Sequence, residues 1–320
     1  MGSVLSEAYF HDEAAAFAAL EAIMWPMGPT CPHCGAVDRI NRLGGVKDKK
    51  GRVRLGLWKC YHCRGQFRCT KGTVFESSHL KLHKWFQATY LLCSSKKGIS
   101  SHQLARTLRC QVKTAWFVSH RIRDAMRARN LSVPFGLDGG RVEADETFVG
   151  KRKGHKQKQG YGHKHAVLSL VDRDTKQVRT FHIEDANATE IVPIIRNNLT
   201  REAHLMTDQA KYYVGVGKEQ ARHETVDHSE EEYVRYVNDP ETGEKYAIHS
   251  NTLEGYFSLF KRGMRGVYQH CSERHLHRYL AEFDFRYNAR IALGIDDSAR
   301  TVRALLGARG KRLTYRDSSQ

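Results

Sequence analysis

The chain has 320 residues, 52 Lys and Arg against 35 Asp and Glu, and a formal net charge of +17. That length suggests about two domains, a hydrophobic fraction of 40% is enough for real cores, and no apolar run approaches the ~18 residues of a membrane span. The first residues lack a secretory signal, so membrane and secreted proteins are set aside and the expectation is a cytoplasmic protein whose charge calls for a polyanion.

The first predicted element is an amphipathic helix over residues 12–25, ended by Pro26-Met27-Gly28-Pro29. Two knuckles follow, Cys31-Pro32-His33-Cys34-Gly35 and Cys60-Tyr61-His62-Cys63-Arg64-Gly65, with 25 residues between the pairs. Each C-x-x-C turn aims two thiolates at one point, and two turns complete a tetrahedral sulfur cage for Zn²⁺. Gly35 and Gly65 are expected to let the turns curl. Between the knuckles, residues 39–43 and 52–60 alternate basic and apolar side chains, as strands do. The pattern is a zinc ribbon, with His33 and His62 at its surface and Cys93, Cys110 and Cys271 as small apolar side chains elsewhere. Two disulfides are the weaker alternative in a chain with no export signal.

A second module follows, with a helix from Lys84 to Leu92, a short helix over 101–108 capped by Ser100 or Ser101, and a longer basic helix over 112–127. Short helix, tight turn and basic helix is a helix-turn-helix-like pattern. Lys113, Thr114, His120 and Arg121 are its candidate DNA contacts. Residues 1–140 carry 22 basic and 9 acidic side chains, and residues 141–320 carry 30 and 26, so the charge excess is amino-terminal. Phosphate neutralisation by these first modules is the expected use of that excess.

The composition shifts over Pro134–Gly140, read as a linker. A strand over 141–150 puts Glu143, Asp145, Thr147 and Val149 on one face and Val142, Ala144, Glu146 and Phe148 on the other. A loop carries Lys151, Arg152, Lys153, Lys156, Lys158 and Lys164. Strands over 165–172 and 177–183 form a hairpin around residues 173–176. A helix opens at Asn187, a buried strand runs His204-Leu205-Met206-Thr207-Asp208, and Tyr212-Tyr213-Val214 begins the next element. Three antiparallel strands, a helix and a further strand follow the order of an RNase H-like α/β core. That order sets Asp145 beside Asp208, a repulsion that a divalent cation such as Mg²⁺ relieves. A later helix over 249–262 projects Asn251, Glu254 and Lys261 from one face, with Arg262, Arg265 and Arg274 interleaved with Tyr256, Phe257 and Tyr268 toward a DNA backbone.

These motifs together resemble the DDE-class insertion-sequence transposases of bacteria that carry an amino-terminal zinc ribbon, the ISXO2-like group. The resemblance rests on Trp25-Pro26-x-Gly28-x-x-Cys31-Pro32-x-Cys34-Gly35, Trp58-x-Cys60-x-x-Cys63, Gly72-Thr73-Val74-Phe75, Val142-Glu143-Ala144-Asp145-Glu146-Thr147-Phe148-Val149-Gly150, Thr207-Asp208, and His249-Ser250-Asn251-Thr252-Leu253-Glu254 followed by Lys261-Arg262. It implies an RNase H-like catalytic domain, a mixed five-stranded sheet flanked by helices, over residues 136–320. Ahead of it come the helix and ribbon over 1–70 and the helical module over 71–135. It also implies Mg²⁺-dependent cleavage and strand transfer (Mn²⁺ serving as well), recognition of the element's terminal inverted repeats, and at least a dimer on nucleoid DNA.

In that reading Asp145 bridges two metal ions, Asp208 holds one and Glu254 the other, and Lys261 positions a phosphate. Some members of the group use Asn as the third residue. Both Asn251 and Glu254 stand in the motif here, and Glu254 is favoured as the better cation ligand. The alternatives are a ribbon and helix-turn-helix regulator of DNA, an RNase H-like nuclease without strand transfer, and a captured, inactive transposase.

Overall fold

The computed structural model describes residues 2–128, 131–156, 160–227, 234–238, 243 and 245–314. Lys158, one of the basic loop residues named above, lies outside them. The chain divides into two compact units, residues 1–127 with 290–320, and residues 128–289. The sequence expectation ran the sheet-bearing domain from 136 to 320. The structure begins that unit at Ala128, and the last helix packs in the first unit. Among the described residues, no helix is long and apolar enough to cross a membrane.

The first unit opens with α1 (Glu13–Met24), whose N-cap Asp12 accepts the Ala15 amide at 2.7 Å. The ribbon that follows is a small antiparallel sheet of β1 (Ile40–Arg42), β2 (Trp58–Cys60) and β3 (Gln66–Phe67) in that order. Its strands are shorter than the alternation suggested, because residues 46–56 form an open loop closed by one bridge, Lys47 to Val53. Trp25 packs edge-on against Trp58 and Phe67 over the buried Cys31 and Cys60. The Trp58 indole donates to Glu21 of α1 at 2.9 Å, which fastens the ribbon to that helix.

Three further helices, α2 (Leu82–Ser94), α3 (Ser101–Leu108) and α4 (Val112–Met126), form the helical module. Ser100 caps α3 by accepting the Gln103 amide, and the turn into α4 passes through Arg109 in a left-handed conformation. From Val118 to Met126 nearly every residue of α4 is buried, because α2, α3 and the C-terminal helix all pack on it. The exposed part of α4 is its amino-terminal end.

The second unit is built on β4 (Arg141–Val149), β5 (His165–Asp172), β6 (Gln177–Ile183), α5 (Ala188–Asn198), β7 (His204–Asp208), α6 (Tyr213–Gly217) and β8 (Arg222–Val226). The strands form one mixed sheet in the order β6-β5-β4-β7-β8, antiparallel across β4, β5 and β6 and parallel across β4, β7 and β8. This is the RNase H-like arrangement that the element order implied. The hairpin at residues 173–176 is as read from sequence, with Asp172 paired to Gln177. Pro134–Gly140 is not a free linker, since Phe135 is buried in the core and bridges Leu199. A short antiparallel pair, β9 (Arg235–Asn238) and β10 (Lys245–Ile248), leads to α7 (Asn251–Gly263), a π turn at Met264–Tyr268 and α8 (Glu273–Asn288). The C-terminal α9 (Asp297–Leu306) belongs to the first unit, where it packs on α1, α2 and α4.

Strand alternation divides the core of the second unit. Val142 and Ala144 of β4 meet Ile191 and Ile195 of α5 on one face. On the other, Val149, Val167, Val171 and Val178 meet Leu253, Tyr256, Phe257 and Phe260 of α7 and Leu276, Leu280 and Phe283 of α8. Tyr256 and Phe257 are therefore core residues rather than the DNA-facing aromatics expected. Tyr268 turns inward too, donating to Glu282. Asp284 accepts from Thr180 and Tyr256, clamping α8 to β6.

The fully buried Glu143 holds α7 in place. Its carboxylate accepts the Arg173 guanidinium at 2.6 Å, the Thr252 hydroxyl at 2.7 Å and the Leu253 amide at 3.1 Å. Arg173 also donates to the carbonyls of Ala247 and His249, each at 2.7 Å. Ser250 makes no capping bond from its side chain, so Glu143 supplies the acceptor that the first turn of α7 requires. Glu143→Ala would leave the half-buried Arg173 with two carbonyls and His249 Nδ1 but no carboxylate, and would uncap α7. The expected loss is about 3–5 kcal/mol of stability of this unit, read by urea unfolding monitored by circular dichroism; a change below ~1 kcal/mol would overturn this role.

Candidate active site and zinc centre

The four knuckle thiols converge as the sequence anticipates. Their sulfurs lie within 4.8 Å of one another, with Cys31 to Cys63 at 3.6 Å and Cys34 to Cys60 at 3.7 Å. A disulfide needs about 2.05 Å between sulfurs, whereas tetrahedral Zn–S bonds of ~2.3 Å set sulfurs about 3.8 Å apart. The donor set and spacing fit structural zinc. The Cys31 amide donates to Ala36 and the Cys60 amide to Gly65, closing the two turns. Gly35 takes the left-handed conformation in the first knuckle, but in the second Arg64 does. Gly65 serves differently: a Cβ there would sit 3.2 Å from the Cys63 sulfur and 3.0 Å from the His33 ring. His33 and His62 are exposed and lie outside the sulfur cluster. Cys69 is buried beside the ribbon and likewise outside the cluster, its thiol pushed up to about 12 by burial.

The second site forms where β4 and β7 part. Their parallel pairing runs Arg141 to His204, Val142 to Leu205 and Glu143 to Met206. Continued two residues further, the same register sets Asp208 across from Asp145. Asp145 lies on the α7 face of β4, two residues beyond Glu143. It lines an open groove with Glu146, Thr147, Glu254, Phe257, Ser258, Lys261, Arg262 and Arg265. The Asp145 carboxyl is pushed up to about 8, first by burial and then by the charges of Glu146, Asp208 and Glu254; the Glu146 amide, donating to it at 2.7 Å, works the other way. Burial lowers the Lys261 ammonium, with Arg265 and Lys164 acting in the same direction, while the charge of Asp145 raises it.

Glu254 therefore belongs to the electrostatic environment of Asp145. Asn251 is exposed at the first turn of α7 and does not line the groove. Glu146, adjacent in sequence to Asp145, points to the opposite face, where Tyr212 donates to it at 2.8 Å and Tyr213 also donates. Burial moves Glu146 up to about 7, opposed by these tyrosines. The sequence marked the two tyrosines only as the start of an element; their hydroxyls and an Asp-Glu pair on a strand were the available signal. Among the described residues, the groups of three or more ligating side chains with donor atoms within 4.8 Å are the ribbon cysteines and His165, His182 and Glu273. Asp145, Asp208 and Glu254 are thus spread more widely, as an open site for hydrated cations would be, and their chemistry suits a hard divalent ion. Arg262 and Arg265 are exposed beside the groove.

Two candidate DNA contacts are corrected. His120 is fully buried with its ring against Trp116 at 4.3 Å. Arg121 is buried over Trp85 and Phe117, and it donates to the Glu76 carbonyl at 2.7 Å. Both sit in the part of α4 that other helices cover. Lys113 is exposed and Thr114 half-exposed at the open end of the same helix.

Asp145 and Glu146 are raised above their unfolded values, so in metal-free protein their contribution to stability is fully present below about pH 4. It is lost as pH rises through about 7 and about 8, where the folded groups ionise. Asp145→Asn removes the larger part of that loss. Thermal unfolding of metal-free protein from pH 5 to 9 should show the variant gaining stability over wild type with pH, and parallel curves would contradict the assignment.

Both units of the chain carry a match to a known family. Residues 137–288 match the ISXO2-like transposase domain and residues 11–70 match the transposase zinc-ribbon domain. A relative described as an uncharacterized protein in transposable element ISH50 of Halobacterium salinarum is 29% identical over 296 residues, covering 87% of this chain and 91% of its own. A solved structure, the simian T-cell lymphotropic virus intasome in complex with PP2A regulatory subunit B56 gamma, aligns at 15% identity and a TM-score of 0.28, over 57% of this chain and 63% of that one. The aligned part is thus less than two thirds of that chain's length. With a ribbon and a sheet domain each matched to its transposase counterpart, and a relative from a transposable element spanning most of its length, this chain belongs to the ISXO2-like transposase family.

Proposed function

We propose that this protein is a DNA transposase that binds the terminal inverted repeats of its element, cleaves DNA at those ends and joins them to a target in a Mg²⁺-dependent reaction. The observation that carries this reading is the groove at Asp145. A half-buried carboxylate on the central strand has Asp208 and Glu254 in its electrostatic field, next to Lys261, Arg262 and Arg265. Mutually repelling carboxylates inside a cationic rim suit one cargo better than others: a phosphodiester brought in with divalent metal.

Asp145, Asp208 and Glu254 would hold the metal, which when bound activates the attacking hydroxyl and stabilises the leaving oxygen. Lys261, two turns along α7 from Glu254, holds a non-bridging phosphate oxygen. Arg262 and Arg265 neutralise neighbouring phosphates, and exposed Lys113 and Thr114 at the open end of α4 contact end DNA. The ribbon and helical module supply recognition of the ends, and two protomers bring two ends together. Regulation of DNA without chemistry would leave the carboxylates dispensable, and a simple nuclease would release ends without joining them.

Labelled element ends incubated with a target plasmid and Mg²⁺ should give cleaved and joined products. Asp145→Asn should reduce both by at least about a hundredfold, with DNA binding retained; full activity in that variant would end the proposal, and cleavage without joining would reduce it to a nuclease. In a binding assay across salt concentrations, Lys113→Ala should weaken end DNA and unrelated DNA alike and lower the salt slope by about 1. An unchanged slope would remove Lys113 from the interface.

A further inference from the structure

Away from the groove and the ribbon, the second unit gathers two imidazoles and a carboxylate. His165 opens β5, His182 lies near the end of β6 and Glu273 is the first residue of α8; their donor atoms all lie within 4.8 Å of one another. The placement follows from the sheet. Val167 pairs with His182, so His165, two residues before Val167, is the diagonal neighbour of His182 on the face that α8 covers. The two rings stand at 71° with centroids 5.7 Å apart.

Nothing else accounts for these groups. His165 is buried, and its Nδ1 has no hydrogen-bond partner among the described residues. An unsatisfied buried ring nitrogen is costly and asks for a partner. His182 Nε2 stands 4.0 Å from Glu273 Oε1, too far for a hydrogen bond. Burial favours the neutral form of both rings, the form with a lone pair to give.

We propose that His165, His182 and Glu273 form a second zinc site, distinct from the ribbon, that fastens the start of α8 to β5 and β6. Two imidazole nitrogens and one carboxylate oxygen suit Zn²⁺, whereas Mg²⁺ and Ca²⁺ take oxygen donors. Tetrahedral zinc with bonds of ~2.0–2.1 Å needs donors about 3.4 Å apart. The necessary contraction falls on Glu273, whose side chain is 48% exposed and can change rotamer. Its carboxylate also sits at a helix amino terminus, where negative charge is favoured. Three protein ligands leave one position for water. The clamp closes the connection of residues 264–272, which begins three residues after Lys261 and carries Arg265, so the metal limits how far the cationic rim of the groove can move.

The test is the zinc content of full-length protein, dialysed against Zn²⁺ and then against buffer with excess Mg²⁺. An Asp145→Asn background removes the groove as a competing site. Plasma mass spectrometry should find two zinc ions per chain, and one in His182→Ala and in Glu273→Gln. Cobalt-loaded protein should lose only the bands of a nitrogen and oxygen site in those variants, keeping the thiolate charge-transfer bands of the ribbon. If His182→Ala does not fold, as judged by circular dichroism, the exposed Glu273→Gln change carries the comparison. One zinc per chain before mutation, or two in the folded variants, would overturn the proposal.

Discussion

The buried Glu143 carboxylate is the interaction on which the second unit depends. It joins the central strand to the β5–β6 hairpin through Arg173 and to the first turn of α7 through Thr252 and Leu253. A charge taken out of water must be surrounded by donors, and here the donors come from segments far apart in the chain. Once Glu143 is satisfied, the beginning of α7 is fixed against β4. Glu254 and Lys261 then have little choice of direction, since each lies a set number of turns from the anchored end. The geometry of the groove is inherited from a residue that does not line it.

Period two in β4 then divides the labour of three neighbouring acids. Glu143 and Asp145 share the face that α7 covers; the first is enclosed by donors and the second opens to the groove. Glu146 turns to the other face and is held by Tyr212 and Tyr213. Three carboxylates within four residues thus have three environments: fully paired and buried, half-buried among like charges, and hydrogen-bonded to phenols. The one among like charges stands in mid-strand where β7 has stopped pairing with β4, level with the carboxyl end of β7. Its pKa is raised first by burial and then by the like charges of Glu146, Asp208 and Glu254, a repulsion that a cation would relieve.

In the first unit the same principle acts through packing. Helix α4 lies among α2, α3 and α9, so most of its length is interior and only its amino-terminal end is presented. A basic helix need not be a basic surface. Arg121 lies flat on Trp85 and Phe117 with its charge on a backbone carbonyl, burying its stem and keeping a partner for its head. The charge excess of the first 140 residues is correspondingly concentrated in the exposed lysines and arginines of the ribbon loop and the helix ends.

Elements whose chemistry is local are legible in the amino-acid order alone. Paired C-x-x-C turns specify a metal cage because two residues of spacing bring two sulfurs together. Alternation specifies the faces of β4, and seven-residue spacing puts Glu254 and Lys261 on one side of α7. Those relations hold within a few residues of backbone and survive any arrangement of the rest. Which of those faces is covered depends on how the elements pack. Tyr256 shares a helix with the groove residues yet enters the core, and Phe257 is buried between core and groove, because α7 lies on the sheet with that side down. Helix α4, which carries His120 and Arg121, is enclosed by helices that the local pattern does not place, one of them α9, nearly 180 residues further on. The Glu143 cage and the His165, His182 and Glu273 cluster bring together residues about 110 positions apart. No local period encodes such a contact; it exists only once strand register and helix docking are set.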